Sequence, residues 1–293
     1  MFTKIKNYLL IIMLAGMSLM ALVFFIVALI YPTLPNVSHL QQYRPKEPLQ
    51  IFSQEGLLIA EFGEERRDHV LIQNVPQKMI NAILAIEDRR FFEHPGIDII
   101  GVLRAALKNI SGQGHEGAST ITMQVARNFF LSSERTFKRK INEILLAIKI
   151  EDSLSKEEIL ELYVNQIYLG QRAFGFSAAA NAYFNKSLDE LNLAESALLA
   201  GLPKAPSRYN PLINPELAIQ RQQAVLRSML RHGYIDNPTY QIALEEPINL
   251  RDSVSKRELK ADYVAEMVRQ ELYAEFGEDI YTSGLKVYTT IKK

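Results

Sequence analysis

A glutamate that ends an apolar helical stripe is the first residue in this sequence with chemistry to offer. Ile80, Ile83 and Leu84 share one face at helical spacing. Glu87 follows at i+3 and i+4, opening Glu87-Asp88-Arg89-Arg90-Phe91-Phe92-Glu93-His94-Pro95-Gly96. A carboxylate in that position loses hydration, which favours its neutral form and raises its pKa. A general base needs such tuning, because proton transfer is most efficient when the pKa nears the working pH. Arg89 and Arg90 would oppose the shift, and a helix-terminal glutamate turned to solvent satisfies the same spacing.

Two later stretches suit an anion. Gly117-Ala118-Ser119-Thr120-Ile121-Thr122-Met123-Gln124 follows the glycine-bearing segment Ser111 to Gly117. Ser119 is placed to cap the next helix, whose free N–H groups and positive dipole end suit a negative charge. Thr120, Gln124 and Arg127 lie on one side of that helix at i, i+4 and i+7. A plain capped helix behind a surface loop is the alternative. In Arg139-Lys140-Ile141-Asn142-Glu143 the periodicity predicts a buried stripe of Phe137, Ile141, Ile144, Leu145 and Ile148, with Arg139, Lys140 and Glu143 on the opposite face. Two cations beside a carboxylate suit pyrophosphate, with Glu143 orienting them or holding a metal ion. A solvated face with ordinary i,i+4 salt bridges is the commoner reading of these residues taken by themselves.

A fourth stretch, Ser155 to Asn165, opens with Ser155 and Glu158 in capping-box spacing before an apolar run. Ser153-Leu154-Ser155-Lys156 also fits S-x-x-K, a serine-nucleophile signature, but S-D-N and K-T-G are missing. The nearest approach to the latter is Thr282-Ser283-Gly284, so the serines read as a helix start. The histidines form no H-E-x-x-H, and a zinc site is not expected.

These side chains need a scaffold, and the rest of the chain supplies one. Thirty-three basic residues balance thirty-three acidic ones, so nothing draws the whole chain towards nucleic acid. Cysteine is absent, which excludes disulfides, thiol catalysis and thiolate metal ligation. Tyr8 to Tyr31 carries no charge and is long enough for a membrane helix. Lys4 and Lys6 precede it and no Lys or Arg follows before Arg44, which places the N-terminus in the cytoplasm. The run is too long for a usual signal core and Tyr31-Pro32-Thr33-Leu34-Pro35 offers no cleavage site, so an uncleaved anchor is expected rather than a signal peptide. A proline-rich linker, Pro32 to Pro48, leads to strand-like residues around the turn Ser53-Gln54-Glu55-Gly56. Helical texture runs from Pro76 to about Arg231, then returns near Ala261 to Phe276 before a strand within Leu285 to Ile291.

The four stretches, in this order, resemble the glycosyltransferase domain of the class A penicillin-binding proteins, the family 51 peptidoglycan glycosyltransferases. Glu87-Asp88 with Phe91, His94 and Gly96 matches the first motif, and Gly117 to Gln124 the second. Arg139-Lys140 with Glu143 matches the third and Lys156 through Asn165 the fourth, while Arg208-Tyr209-Asn210-Pro211 resembles a fifth. The similarity runs from the apolar helix to about residue 240. It implies a mainly α, lysozyme-like, bilobed fold with one transmembrane helix and a small β-hairpin region. The implied segments are a cytoplasmic tail (1–7), a membrane helix (8–31), a linker and hairpin (32–75), the glycosyltransferase domain (76–245) and a connector (246–293).

The resemblance also implies polymerisation of lipid II into β-1,4-linked glycan strands with release of polyprenyl pyrophosphate, by one inverting displacement. Glu87 would be the base and Glu143 a second catalytic carboxylate supporting the pyrophosphate site. Asp88, Phe91, His94, Ser119, Thr120, Gln124, Arg127, Arg139 and Lys140 would bind substrate, and inhibitors that mimic the pyrophosphate, such as moenomycin, would bind there too. No cofactor is required; a magnesium or manganese ion could assist at the pyrophosphate. The implied partners are lipid II, the growing glycan, membrane lipid and other cell-wall synthesis proteins, at the bacterial inner membrane, with a single span and the catalytic domain outside.

Two departures stand out. Met123 occupies a position where many relatives have a second glutamine. Ala261 to Ile291 resembles the connector to a transpeptidase domain; the sequence ends at Lys293, and penicillin binding is not expected of it. The competing readings are a lytic transglycosylase or muramidase of lysozyme-like fold, which explains Glu87 but not the cations, and a non-catalytic membrane scaffold.

Overall fold

The structure, a computed structural model, describes residues 2–43, 47–63, 65–110, 117, 119–131, 136–251 and 261–293. The glycine-bearing segment before Gly117, and Ala118, lie outside the described residues. In chain order the elements are α1 (Phe2–Ile30), β1 (Leu49–Phe52), β2 (Leu58–Phe62), β3 (Arg66–Arg67), α2 (Gln77–Glu87), α3 (Ile99–Ile110), α4 (Ile121–Phe130) and α5 (Phe137–Ser153). There follow α6 (Lys156–Gln166), β4 (Ala173–Phe174), α7 (Phe176–Phe184), α8 (Leu193–Gly201), α9 (Pro215–Arg231), α10 (Asn237–Glu245), α11 (Asp262–Phe276) and β5 (Lys286–Tyr288). The chain is mostly helical, as its periodicity predicts.

Helix α1 contains the expected apolar run. Its window Gly16–Thr33, with a mean hydropathy of 2.1, is long and apolar enough to cross a membrane, and none of its described side chains is buried. The predicted hairpin forms at residues 53–56, with β1 and β2 antiparallel. β5 then joins β1 in parallel, giving the order β2-β1-β5. Leu49, Ile51, Ile59, Ala60, Ala265 and Ile280 form a small core under this sheet, separate from the main one.

The main core is helical. α8 is buried around its whole circumference by small and aliphatic residues, and it packs between α2 and α9. Among the described residues the largest wholly buried side chains are Tyr163, Tyr183, Phe91 and Phe176, all in this core. Local signals set the helix starts. Ser155 and Glu158 make the predicted capping box on α6, and Asn192 with Glu195 makes a second on α8.

Two sequence expectations need correction. Thr120, not Ser119, caps α4: its hydroxyl accepts from Met123 N at 3.2 Å, while Ser119 accepts from the Lys140 ammonium at 2.9 Å. Helix α5 is rotated from the predicted orientation. Its buried residues are Glu143, Leu146, Ala147 and Ile150 with the predicted Leu145, whereas Phe137 is 93% exposed and Ile141 and Ile148 also stand out of the surface. The buried carboxylate is offset by Lys140, 2.9 Å away, and Gly96 packs closely on the α5 backbone at Ala147.

Gly96 sits at φ +85°, and a Cβ there would lie 3.0 Å from both Ala147 O and the Glu151 Cγ. Its own carbonyl accepts from the Thr120 hydroxyl at 2.6 Å. Neither the positive φ nor the gap tolerates a side chain. We expect Gly96→Ala to lower stability by about 2 kcal/mol or more, read as a shift in the denaturation midpoint; an unchanged midpoint would show that α5 yields freely.

Candidate active site

The end of α2 opens into a cleft of about 690 Å³ whose walls come from α2, α3, α4 and α9. Glu87 is the last residue of α2 and lies on the cleft wall with its side chain 13% exposed. Gln124 on α4 donates to its Oε2 at 2.7 Å, and the Arg221 guanidinium on α9 stands 3.9 Å from Oε1. Burial pushes the Glu87 carboxyl above its usual range. The Gln124 hydrogen bond and the charges of Arg221 and Arg127 oppose this without cancelling it. The result is a fixed, desolvated carboxylate, suited to taking a proton.

Around it the cleft is rich in cations. Arg104 and Lys108 face it from α3, Arg127 from α4, and Arg221, Arg227 and Arg231 from α9. Ser119, Thr120 and Asp88 complete the near wall. Asp88 is already engaged, however: its carboxylate accepts from Ile121 N at 3.1 Å and meets His94 Nε2 at 3.0 Å. The N-terminus of α4, read from sequence as a free anion site, is therefore occupied by Asp88 and by the Thr120 hydroxyl.

A family model described as Transglycosylase matches residues 55–230, more than half of the chain. The chain belongs to the transglycosylase family. Over 263 residues it is 56% identical to penicillin-binding protein 1A of Neisseria meningitidis, a match covering 89% of this chain and 33% of the relative. Penicillin-binding protein 1A of Pseudomonas aeruginosa is 51% identical over 262 residues, covering 89% and 32%. The crystal structure of penicillin-binding protein 1A from Haemophilus influenzae superposes with a TM-score of 0.50 at 37% identity, over 85% of this chain and 28% of that one. The chain thus spans about a third of the length of these curated relatives.

Within this transglycosylase, the residues singled out by sequence fall into three places. Glu87, Asp88, Ser119, Thr120, Gln124 and Arg127 line the cleft. Lys140 reaches its rim through Ser119 and carries the buried Glu143 with it, while Arg139 does not line it. Phe91 and His94 do not face the cleft: both are buried beneath it, Phe91 under the Lys156 ammonium at 4.5 Å. Among the described residues no group of three or more acidic or histidine side chains gathers as a metal site.

Arg221 is the residue that sequence reading missed. The fifth motif was sought at Arg208 to Pro211, yet it is Arg221 that approaches Glu87 and lies over the Tyr209 ring at 5.8 Å. A signal was present. Arg221, Ala224, Arg227 or Ser228, and Arg231 recur at three- and four-residue spacing, beside the buried stripe of Ala218, Gln222, Val225 and Met229.

The raised carboxyl makes a testable statement about stability. A carboxyl that is easier to protonate in the folded state contributes fully below its unfolded pKa, and that contribution is lost as pH rises through the folded value. Glu87→Gln, neutral and of similar shape, should match wild type at pH 4 and melt about 2–4 °C higher at pH 8. Thermal scans at the two pH values check this; a variant that melts lower at pH 8 would contradict the burial argument.

Proposed function

We propose that this transglycosylase polymerises lipid II into β-1,4-linked glycan, releasing polyprenyl pyrophosphate. The observation that carries the reading is Glu87 itself, a desolvated carboxylate held by Gln124 at the wall of a cation-rich cleft. Glu87 removes the proton from the acceptor sugar's 4-hydroxyl as that oxygen attacks the donor's anomeric carbon. The bond to pyrophosphate breaks on the opposite face, so the α linkage becomes β in one inverting step. Negative charge accumulates on the leaving pyrophosphate, where Arg127 and Lys140 stabilise the transition state more than the ground state. Arg139 and Glu143 support that end of the cleft, Glu143 by fixing the Lys140 ammonium. No resident cofactor has a part in this scheme; a magnesium or manganese ion would act on the pyrophosphate oxygens.

A muramidase or lytic enzyme would also use a buried glutamate, but bond cleavage within neutral sugars leaves the surrounding cations without a partner. Incubation with lipid II separates the two: chain growth supports the synthase, and shortening of preformed glycan without growth removes it. Glu87→Gln should lower polymerisation by about 10²–10⁴-fold with folding intact, the usual share of a general base. Retained activity in that variant would take Glu87 out of the mechanism, whereas no chain growth by the unaltered chain would favour a scaffold.

The substrate would lie at the outer face of the bacterial inner membrane, and α1 would hold the domain there with its N-terminus in the cytoplasm. The surface has a matching side. Ile99, Ile100, Val102, Leu103 and Leu107 stand exposed on α3, and Phe137, Ile141 and Ile148 on α5. The alternative that Ile99 to Leu103 are ordinary core packing does not fit their exposure. The sequence contains no tryptophan, so Phe137→Trp gives a single indole that can be excited apart from the tyrosines. In vesicles with brominated acyl chains its emission should be strongly quenched relative to plain lipid; equal emission in both would place α5 in water.

A further inference from the structure

Tyr163 lies on α6, which packs against α4 below the cleft, and its side chain is wholly buried. Its ring lies 6.3 Å from that of Phe176 in the core. Its hydroxyl has no hydrogen-bond partner among the described residues. That is costly, and a phenylalanine would fill the same volume without the cost. The other large buried tyrosine behaves differently, since Tyr183 donates to Leu169 O at 2.9 Å. The charges that reach the Tyr163 hydroxyl belong to the cleft: Glu87 foremost, then Arg127, Arg221 and Asp88. Burial first, and the Glu87 carboxylate second, hold its pKa well above the usual phenol range, so it stays a donor at every working pH.

Glu87 has the complementary vacancy in its bonding. Oε2 accepts from Gln124, whereas Arg221 at 3.9 Å is too far from Oε1 for a hydrogen bond. Among the described residues, a buried donor without an acceptor and a cleft-facing carboxylate oxygen without a protein donor therefore share a cluster. We propose that Tyr163 is a positioning residue for Glu87, its hydroxyl donating to the carboxylate from the floor of the cleft as substrate enters, so that Gln124 and Tyr163 together fix the base. This rests on Glu87 acting as the base.

Removing the donor should disfavour the charged carboxylate. The other groups facing Glu87 are Asp88 beside it, Gln124 and Arg127 on α4, and Arg221 on α9; the only charged residue of α8, Glu195, is paired with Lys186 at 2.8 Å. The test is the pH profile of lipid II polymerisation by the full chain. Tyr163→Phe should move the acidic limb up by about one unit, the scale of one hydrogen bond to a charged group, with the melting temperature unchanged or higher. Replacing Tyr163 by 3-fluorotyrosine, a stronger donor of the same shape, should move the limb down, and it decides alone if the Phe variant does not fold.

Profiles that superpose on wild type, or a loss equal at every pH, would overturn the proposal. The two failures are separable. An active Glu87→Gln removes the base assignment itself. An inactive Glu87→Gln with unmoved profiles at position 163 removes only Tyr163.

Discussion

Lys156 brings its ammonium into a mostly buried space between the loop after α2 and the later half of α5, and much of the catalytic region is hung from that point. It donates to His94 O and to Glu151 Oε1, each at 2.7 Å, and rides over the Phe91 ring. Thr122 on α4 donates to the same Glu151 oxygen, and His94 turns its ring to Asp88 at the end of α2. One cation thus ties together the residues after α2, the start of α4, the body of α5 and the first turn of α6. A charge this buried is tolerable only when it is fully paired, and the pairing fixes its neighbours in turn. The position of Glu87, one residue before Asp88, follows from that tie.

The cleft and its supports divide the electrostatic labour. Beneath the surface, Glu151 and Glu143 are matched to Lys156 and Lys140, and the Asp88 carboxylate is held by Ile121 N and the His94 ring. Towards the opening, the arginines of α4 and α9 face Glu87 as the main nearby acid besides Asp88. A carboxylate kept mostly out of water beside cations it does not fully pair with is not arranged for stability. Such an arrangement suits the proposed reaction, in which a proton arrives at one end and negative charge departs at the other.

Much of this was legible in the residues alone, and the exceptions have physical causes. The start of α6 was readable because the Ser155 and Glu158 box is complete within four residues. Glu87 was readable because its apolar stripe is local. The cap of α4 was misplaced by one residue, since Ser119 and Thr120 offer the same oxygen, and the choice is made by Lys140 from another helix. Helix α5 was turned the wrong way because periodicity finds an apolar stripe but not the medium it faces. Here the stripe of Phe137, Ile141 and Ile148 looks outward while a paired glutamate looks in. Arg221 was missed because its relation to Glu87 exists only after α8 and α9 have folded back on α2. The placing of Phe91 and His94 beneath the floor, rather than on it, also depends on Lys156, which no local pattern announces.

The parallel pairing of β1 with β5 has a consequence in time rather than in space. Phe52 O accepts from Thr289 N and from the Thr289 hydroxyl, across 237 positions of sequence. A ribosome releases the hairpin of β1 and β2 early and β5 only after every catalytic helix has emerged. Until then one edge of β1 is open and its small core lacks Ala265 and Ile280. Loop closure over such a span is slow and is rewarded only once the intervening chain is compact. The sheet therefore acts as a late clasp, shut by a helical domain that has already assembled, and an unpaired β1 edge marks a chain still in the course of folding.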